Sequence, residues 1–184
     1  MTSRRRSVLL LGGTLIAGLT ARKQLHAQGA TDTPRAPSSL ERESPRPLPT
    51  ETFTDKDGIE HTLADLRGRA TIVHLWATWC GPCIKELPAL AALTPSLQQV
   101  GIDVLPVAVD HRGAEVVLPY LEKLKLGTFV TYYDQRRAIP ASLEQEALPL
   151  TLFLDRQGML VCTHAGQILW NETGARDTLL RLIT

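Results

Sequence analysis

The stretch Thr71-Ile72-Val73-His74-Leu75-Trp76-Ala77-Thr78-Trp79-Cys80-Gly81-Pro82-Cys83 joins two patterns whose junction points to the fold and the chemistry together. Thr71 to Trp76 is β-rich and apolar, as a buried strand should be. Beyond the cysteines, Ile84-Lys85-Glu86-Leu87-Pro88-Ala89-Leu90-Ala91-Ala92-Leu93 repeats its leucines and alanines at helical spacing. A strand therefore feeds a Cys-x-x-Cys at the start of a helix. Unpaired backbone N–H groups and the positive end of the helix dipole favour a thiolate there. Such a setting brings a free thiol from ~8.5 down to ~7 or lower. Cys80 is then the expected nucleophile, and Cys83, one turn into the helix, the group that resolves its mixed disulfide. Pro82 suits the first turn because it has no N–H to leave unpaired.

Other uses of the pair fit less well. A structural zinc site needs four ligands, usually a second Cys pair or a His pair. The only other cysteine is Cys162, and His26, His61, His74, His111 and His164 contain no His-x₃₋₅-His spacing. An inert bridge would close a loop of two residues, which constrains the unfolded chain very little.

Leu75-Trp76-Ala77-Thr78-Trp79-Cys80-Gly81-Pro82-Cys83 with Lys85-Glu86-Leu87-Pro88 resembles the TlpA/ResA group of thioredoxin-fold thiol–disulfide reductases. Ala147-Leu148-Pro149-Leu150-Thr151-Leu152-Phe153-Leu154-Asp155 resembles the segment in which that group carries a cis-proline facing the cysteines. Thr54-Asp55-Lys56-Asp57-Gly58 with Leu63-Ala64-Asp65-Leu66-Arg67-Gly68 resembles its opening hairpin. The likeness runs from about Thr52 to the C-terminus. It implies an α/β thioredoxin-like fold, a mixed sheet flanked by helices on both faces, with an N-terminal β-hairpin. It also implies a redox-active Cys80–Cys83 disulfide, a cis Pro149, and a backbone at Leu148 that pairs with an incoming peptide beside Trp79, Gly81 and Pro82. The Gly81-Pro82 dipeptide is that of reducing thioredoxins.

His74 departs from the resemblance, since six residues before the first cysteine thioredoxins carry a buried Asp and TlpA-like proteins often an Asn. An imidazole with an ordinary pKa of ~6.5 suits a proton relay for Cys83; a neutral core histidine is the other reading. By the same resemblance, a Glu is sought in the loop after the second parallel strand, where Arg112 stands, with Asp110, His111 and Glu115 nearby. Trp76 is expected in the core, Trp79 on a docking surface, and Cys162 as a small buried hydrophobe.

The N-terminus reads as an export segment. Arg4, Arg5 and Arg6 precede an apolar run, Val8 to Thr20, that is short of the ~20 residues of a membrane span. Leu25-His26-Ala27 offers a cleavage site, and Arg22 and Lys23 leave an uncleaved anchor open. Residues 1–27 hold five of the 20 Lys and Arg and none of the 19 Asp and Glu, so the remainder carries 15 basic against 19 acidic groups, a formal −4. Nothing in that balance favours nucleic acid. Residues 28–49, with Pro34, Pro37, Pro45, Pro47 and Pro49, read as a semi-rigid linker, and 50–184 as the domain.

Within the domain the pattern predicts a hairpin (Phe53; Ile59 to Leu63), a core strand (Thr71 to Trp76) and a helix from Gly81 to Val100 containing Pro88. A strand from Ile102 to Val109, a helix from Ala114 to Leu126 and a short strand from Phe129 to Tyr132 follow. The chain closes with a hairpin (Leu150 to Leu154; Met159 to Thr163) turning at Gly158, and a helix from Glu172 to Ile183. The expected protein is a monomeric, periplasmic protein-disulfide reductase, soluble or tethered by its N-terminus. It would act on disulfide-containing exported proteins and be re-reduced by a membrane thiol donor, with no metal, flavin or nicotinamide. Two alternatives are reduction of apocytochrome c and copper handling. Against the first, Glu144-Gln145-Glu146-Ala147-Leu148-Pro149-Leu150 lacks the Gly-Val-x-Gly-x-Pro-Glu of cytochrome-maturation reductases. Against the second stands a total of two Met residues.

Overall fold

The computed structural model describes residues 31–184. The expected export segment, 1–27, and the start of the expected linker lie outside the described residues. Among those described, no helix is long and apolar enough to cross a membrane.

The strand Thr71 to Trp76 is the centre of the molecule. As β4 (Ala70–Trp76) it has all seven residues buried. It pairs in parallel with β5 (Ile102–Ala108) and antiparallel with β7 (Leu150–Leu154). Both faces are covered, so the strand is a continuous apolar run rather than an alternating one, and His74 is its only ionisable residue. Alternation still sorts the side chains. Val73 and Leu75 join one apolar cluster with Cys80, Cys83, Leu87, Val117 and Leu121. Ala70 and Ile72 join the other, with Leu90, Leu97, Trp170, Leu179 and Ile183. Helix α1 (Gly81–Gln99) contributes to both clusters, α2 (Ala114–Lys123) to the first and α4 (Ala175–Ile183) to the second. Helices thus flank both faces of the sheet, as expected.

The remaining strands are β1 (Thr31–Arg35), β2 (Thr52–Thr54), β3 (Glu60–Thr62), β6 (Tyr132–Tyr133) and β8 (Leu160–Ile168), giving the order β1-β8-β7-β4-β5-β6-β2-β3. The opening hairpin, β2 with β3, extends the sheet through β6. The short strand falls at Tyr132–Tyr133 rather than Phe129 to Tyr132. There Tyr133 is buried and pairs with Thr54, while the Thr131 hydroxyl is held by the Pro106 carbonyl at 3.2 Å. Gly158 takes φ +75° in the β7–β8 turn, and a Cβ there would lie 2.5 Å from Arg67 Cγ, so the turn needs glycine. A five-residue helix, α3 (Ala138–Ser142), was not legible in advance.

The linker reading of 28–49 is corrected for its described part. Residues 31–46 form a strap docked along β8. β1 runs parallel to β8, Pro37 and Leu40 are buried, and Glu43 N–H donates to the Val161 carbonyl. Arg46 and Leu160 exchange backbone bonds of 3.0 and 2.9 Å. Arg42 donates to the Leu182 carbonyl at 2.7 Å and to Asp155 at 3.2 Å. Proline costs a ladder donor but tolerates an edge. The donors that matter here come from residues between the prolines. The strap also covers an edge that would otherwise be free to pair with other chains, and lets β8 run to Ile168, beyond the expected Thr163. Leu40→Ala is expected to lower stability by about 2 kcal/mol, a fall in melting temperature of roughly 4–8 °C. A thermal melt with no change would show that Leu40 does not anchor the strap.

Candidate functional site

The turn between β4 and α1 is pinned from β5. Asp110, buried just past the strand, accepts the Thr78 N–H at 3.0 Å and the Thr78 hydroxyl at 2.5 Å. This places Cys80 at the N-cap of α1, where its Sγ accepts the Cys83 N–H at 3.2 Å. Cys80 and Cys83 form a disulfide. Cys80 is 5% exposed and Cys83 fully buried, so the first sulfur is the one that a partner can reach. Gly81 and Pro82 open the helix, and the Gln167 side chain of β8 donates to the Pro82 carbonyl at 3.0 Å. Pro88 and Pro95 lie inside α1, which runs on through both. The Leu148–Pro149 peptide is cis. Leu148 packs against the apolar cluster that contains both cysteines, and the Pro149 carbonyl accepts the Gly166 N–H at 2.8 Å.

Beneath the helix lies a pair of buried polar side chains. His74 is fully buried, with Nδ1 3.1 Å from the Thr151 hydroxyl and Nε2 3.5 Å from Glu86 Oε1. Glu86 is one turn beyond Cys83 on the inner side of α1. Its Oε2 accepts the Ile168 N–H at 2.8 Å and the Trp170 indole N–H at 3.1 Å. Among the described residues the two facing atoms, His74 Nε2 and Glu86 Oε1, have no partner except each other. Burial pushes His74 down from 6.5 to about 3. It pushes Glu86 up from 4.5 to about 8, against the opposing pull of the Ile168 and Trp170 donors. Both are therefore neutral at pH 7. The coherent arrangement has Nδ1–H donating to Thr151 and the Glu86 acid proton directed at Nε2. Of the two readings of His74, the neutral core histidine fits this burial and an imidazole at its ordinary pKa does not, while Glu86 is the group that burial shifts toward neutral pH.

The family model for Redoxin matches residues 43–179. The chain belongs to the Redoxin family. This redoxin is 29% identical over 148 residues to the thiol-disulfide oxidoreductase ResA of Geobacillus thermodenitrificans, covering 80% of the chain and 75% of that protein. With the ResA of Geobacillus kaustophilus it shares 32% over 110 residues, 60% of the chain and 62% of the relative. The structure of a Bacteroides vulgatus protein assigned as a thiol-disulfide oxidoreductase superposes with a TM-score of 0.63 at 29% identity, over 75% of this chain and 94% of that one. A Chlorobium tepidum protein assigned as the thiol:disulfide interchange protein DsbE shares the fold, with a TM-score of 0.64 at 21% identity over 79% and 100% of the two chains. The redoxin is a ResA-like thiol–disulfide oxidoreductase with a thioredoxin-like fold.

Other expected residues fall in several places. Trp79 is 61% exposed beside Cys80, while Trp76 is fully buried with its indole N–H on the Thr131 hydroxyl at 3.3 Å. Cys162 is a buried free thiol pushed up to about 12 by burial. Glu115 is exposed and ion-paired with Arg112 at the start of α2; the buried acid one turn beyond Cys83 is Glu86. In the sequence Glu86 reads only as part of the Lys85-Glu86-Leu87-Pro88 motif. Its signal was a carboxylate on the same helical stripe as Cys83, Leu87 and Leu90, all buried. Asp110 gave no signal, because its partner at Thr78 is 32 residues away.

Proposed function

We propose that this redoxin is an exported reductant of protein disulfides, carried out of the cytoplasm by residues 1–27. The Cys80 thiolate attacks one sulfur of a target disulfide, and the other target sulfur leaves as a thiolate. Cys83 then attacks the Cys80 sulfur and expels the second target thiolate. Two electrons pass to the target, and the redoxin is left with its Cys80–Cys83 disulfide. A membrane thiol donor restores the dithiol. Leu148 with Pro149 is the expected docking edge, Trp79 an apolar contact beside it, and the Glu86–His74 pair the store for the Cys83 proton.

The observation that carries the direction is the sparse donor set at Cys80. Among the described residues its sulfur accepts one backbone N–H, from Cys83 at 3.2 Å, and Pro82 between them has none to give. Strong oxidants of this chemistry owe their potential to a highly stabilised reduced form; one donor provides modest stabilisation. Equilibration with a dithiol buffer is expected to place the couple nearer the ~−270 mV of thioredoxin than the ~−120 mV of DsbA. A value close to the latter would make the protein an oxidant and overturn the reading.

A further inference from the structure

Arg137 touches both walls of the cysteine site. Its guanidinium carbon lies 5.8 Å from the centre of the Trp79 ring, on the wall that carries Cys80. Its Nη2 donates to the Glu146 carbonyl at 2.9 Å, two residues before Leu148 on the facing wall. The backbone beneath is held firmly. Arg137 N–H donates to the Asp134 carbonyl at 3.0 Å, and the buried Asp134 carboxylate accepts the Ala138 and Ile139 N–H groups, each at 2.9 Å. Arg137 itself sits at φ +55°, a conformation that glycine or asparagine adopts at less cost. An arginine there indicates a use for its side chain.

That use is not exhausted by the contacts within the chain. Among the described residues the Arg137 side-chain nitrogens make one hydrogen bond, from Nη2, and the side chain is 36% exposed. The nearest counter-charge is the Glu146 carboxylate, 3.7 Å away on a side chain that is 87% exposed. So open an ion pair is weak and readily exchanged. The guanidinium is a planar fork suited to a carboxylate.

We infer that Arg137 is a specificity-determining residue that recognises a carboxylate side chain on the target segment flanking its disulfide. The inference rests on the reading of the chain as a reductase of protein disulfides. An extended segment that lies along Leu148 with its sulfur at Cys80 passes between Trp79 and Glu146, and the guanidinium spans that interval. The occupant is thus an acidic, disulfide-bearing peptide segment, its Asp or Glu replacing the Glu146 carboxylate.

The test uses the reduced full-length protein and two disulfide peptides that differ only in Glu or Lys beside the cysteine. Second-order rates are followed by the tryptophan signal, and the Glu/Lys rate ratio within each variant cancels any change common to both peptides. Wild type is expected to favour the Glu peptide by about 10-fold at low salt, with the ratio shrinking as salt rises. Arg137→Gln should bring it within about twofold, Arg137→Lys should keep part of it, and Glu146→Gln should raise it by removing the competing carboxylate. Equal rates in wild type, or a ratio preserved in Arg137→Gln, would overturn the assignment. So would a preference for lysine, which would show that Glu144 and Glu146 set the local field. Hydroxyethyl disulfide separates the two levels. If it reacts while the peptides are not distinguished, only the role of Arg137 fails; if the reduced protein reacts with no disulfide at all, the reductase reading fails and this inference with it.

Discussion

Cys83→Ser is expected to capture target proteins without releasing them. Cys80 in that variant still attacks a disulfide, because its place at the N-cap of α1 depends on the turn held by Asp110 and not on the second sulfur. The mixed disulfide then has no resolving thiol, so turnover falls to background and one target remains bound per chain. Cys80→Ser should show neither turnover nor capture, since the remaining sulfur, at Cys83, is fully buried. The pair of results separates attack from resolution. Mass spectrometry of material trapped in the native host would identify the targets. Capture by Cys80→Ser instead would reverse the roles of the two cysteines, and stoichiometric turnover by both variants would place the redox chemistry elsewhere. Cys162 is no rival, because its thiol is buried and held far above neutral pH.

What was legible in the chain follows from the range of the interactions. The strand, the cysteine pair and the helix could be read because local periodicity and capping determine them, and β4 and α1 fall within a residue or two of expectation. The strap could not. Its prolines resemble those of a spacer, and only its register against β8 reveals it as part of the sheet. α3 escaped because it is five residues long and begins at a left-handed arginine, with the cap supplied by the Asp134 side chain. His74 was visible as an oddity in an apolar strand, but its basicity was not. An ordinary pKa describes a solvated imidazole, and this one is sealed between Thr151, Trp170 and Glu86. The buried His74–Glu86 pair is a property of packing, since its members lie on different elements and acquire their character only on burial.

That pair leads to the second large effect. Glu86→Gln is expected to slow resolution of the mixed disulfide by about 10²-fold. The amide keeps the geometry: its oxygen can accept from Ile168 and Trp170, and its NH₂ can donate to His74 Nε2. What it removes is the carboxylate proposed to take the Cys83 proton. Because Glu86 is pushed up to about 8, the wild-type rate should climb as pH rises toward 8 and level above it, and the variant should lack that break. Stability gives an independent sign. Between pH 4.5 and about 8 the folded chain holds the Glu86 proton and the unfolded chain has lost it, so stability falls as pH rises through that window. His74 acts oppositely, because the unfolded imidazole binds a proton below 6.5 and the folded one only below about 3. The two trends offset one another between pH 4.5 and 6.5, leaving a net decline from pH 6.5 to about 8 that Glu86→Gln should abolish. His74→Ala tests the partner. It removes the acceptor of the acid proton and opens a cavity, costing about 2 kcal/mol or more, and the break in the rate profile should move to lower pH as the neutral acid loses its hydrogen bond. A His74→Ala protein that is merely less stable, with an unshifted profile, would reduce the imidazole to core filling and leave Glu86 to act alone.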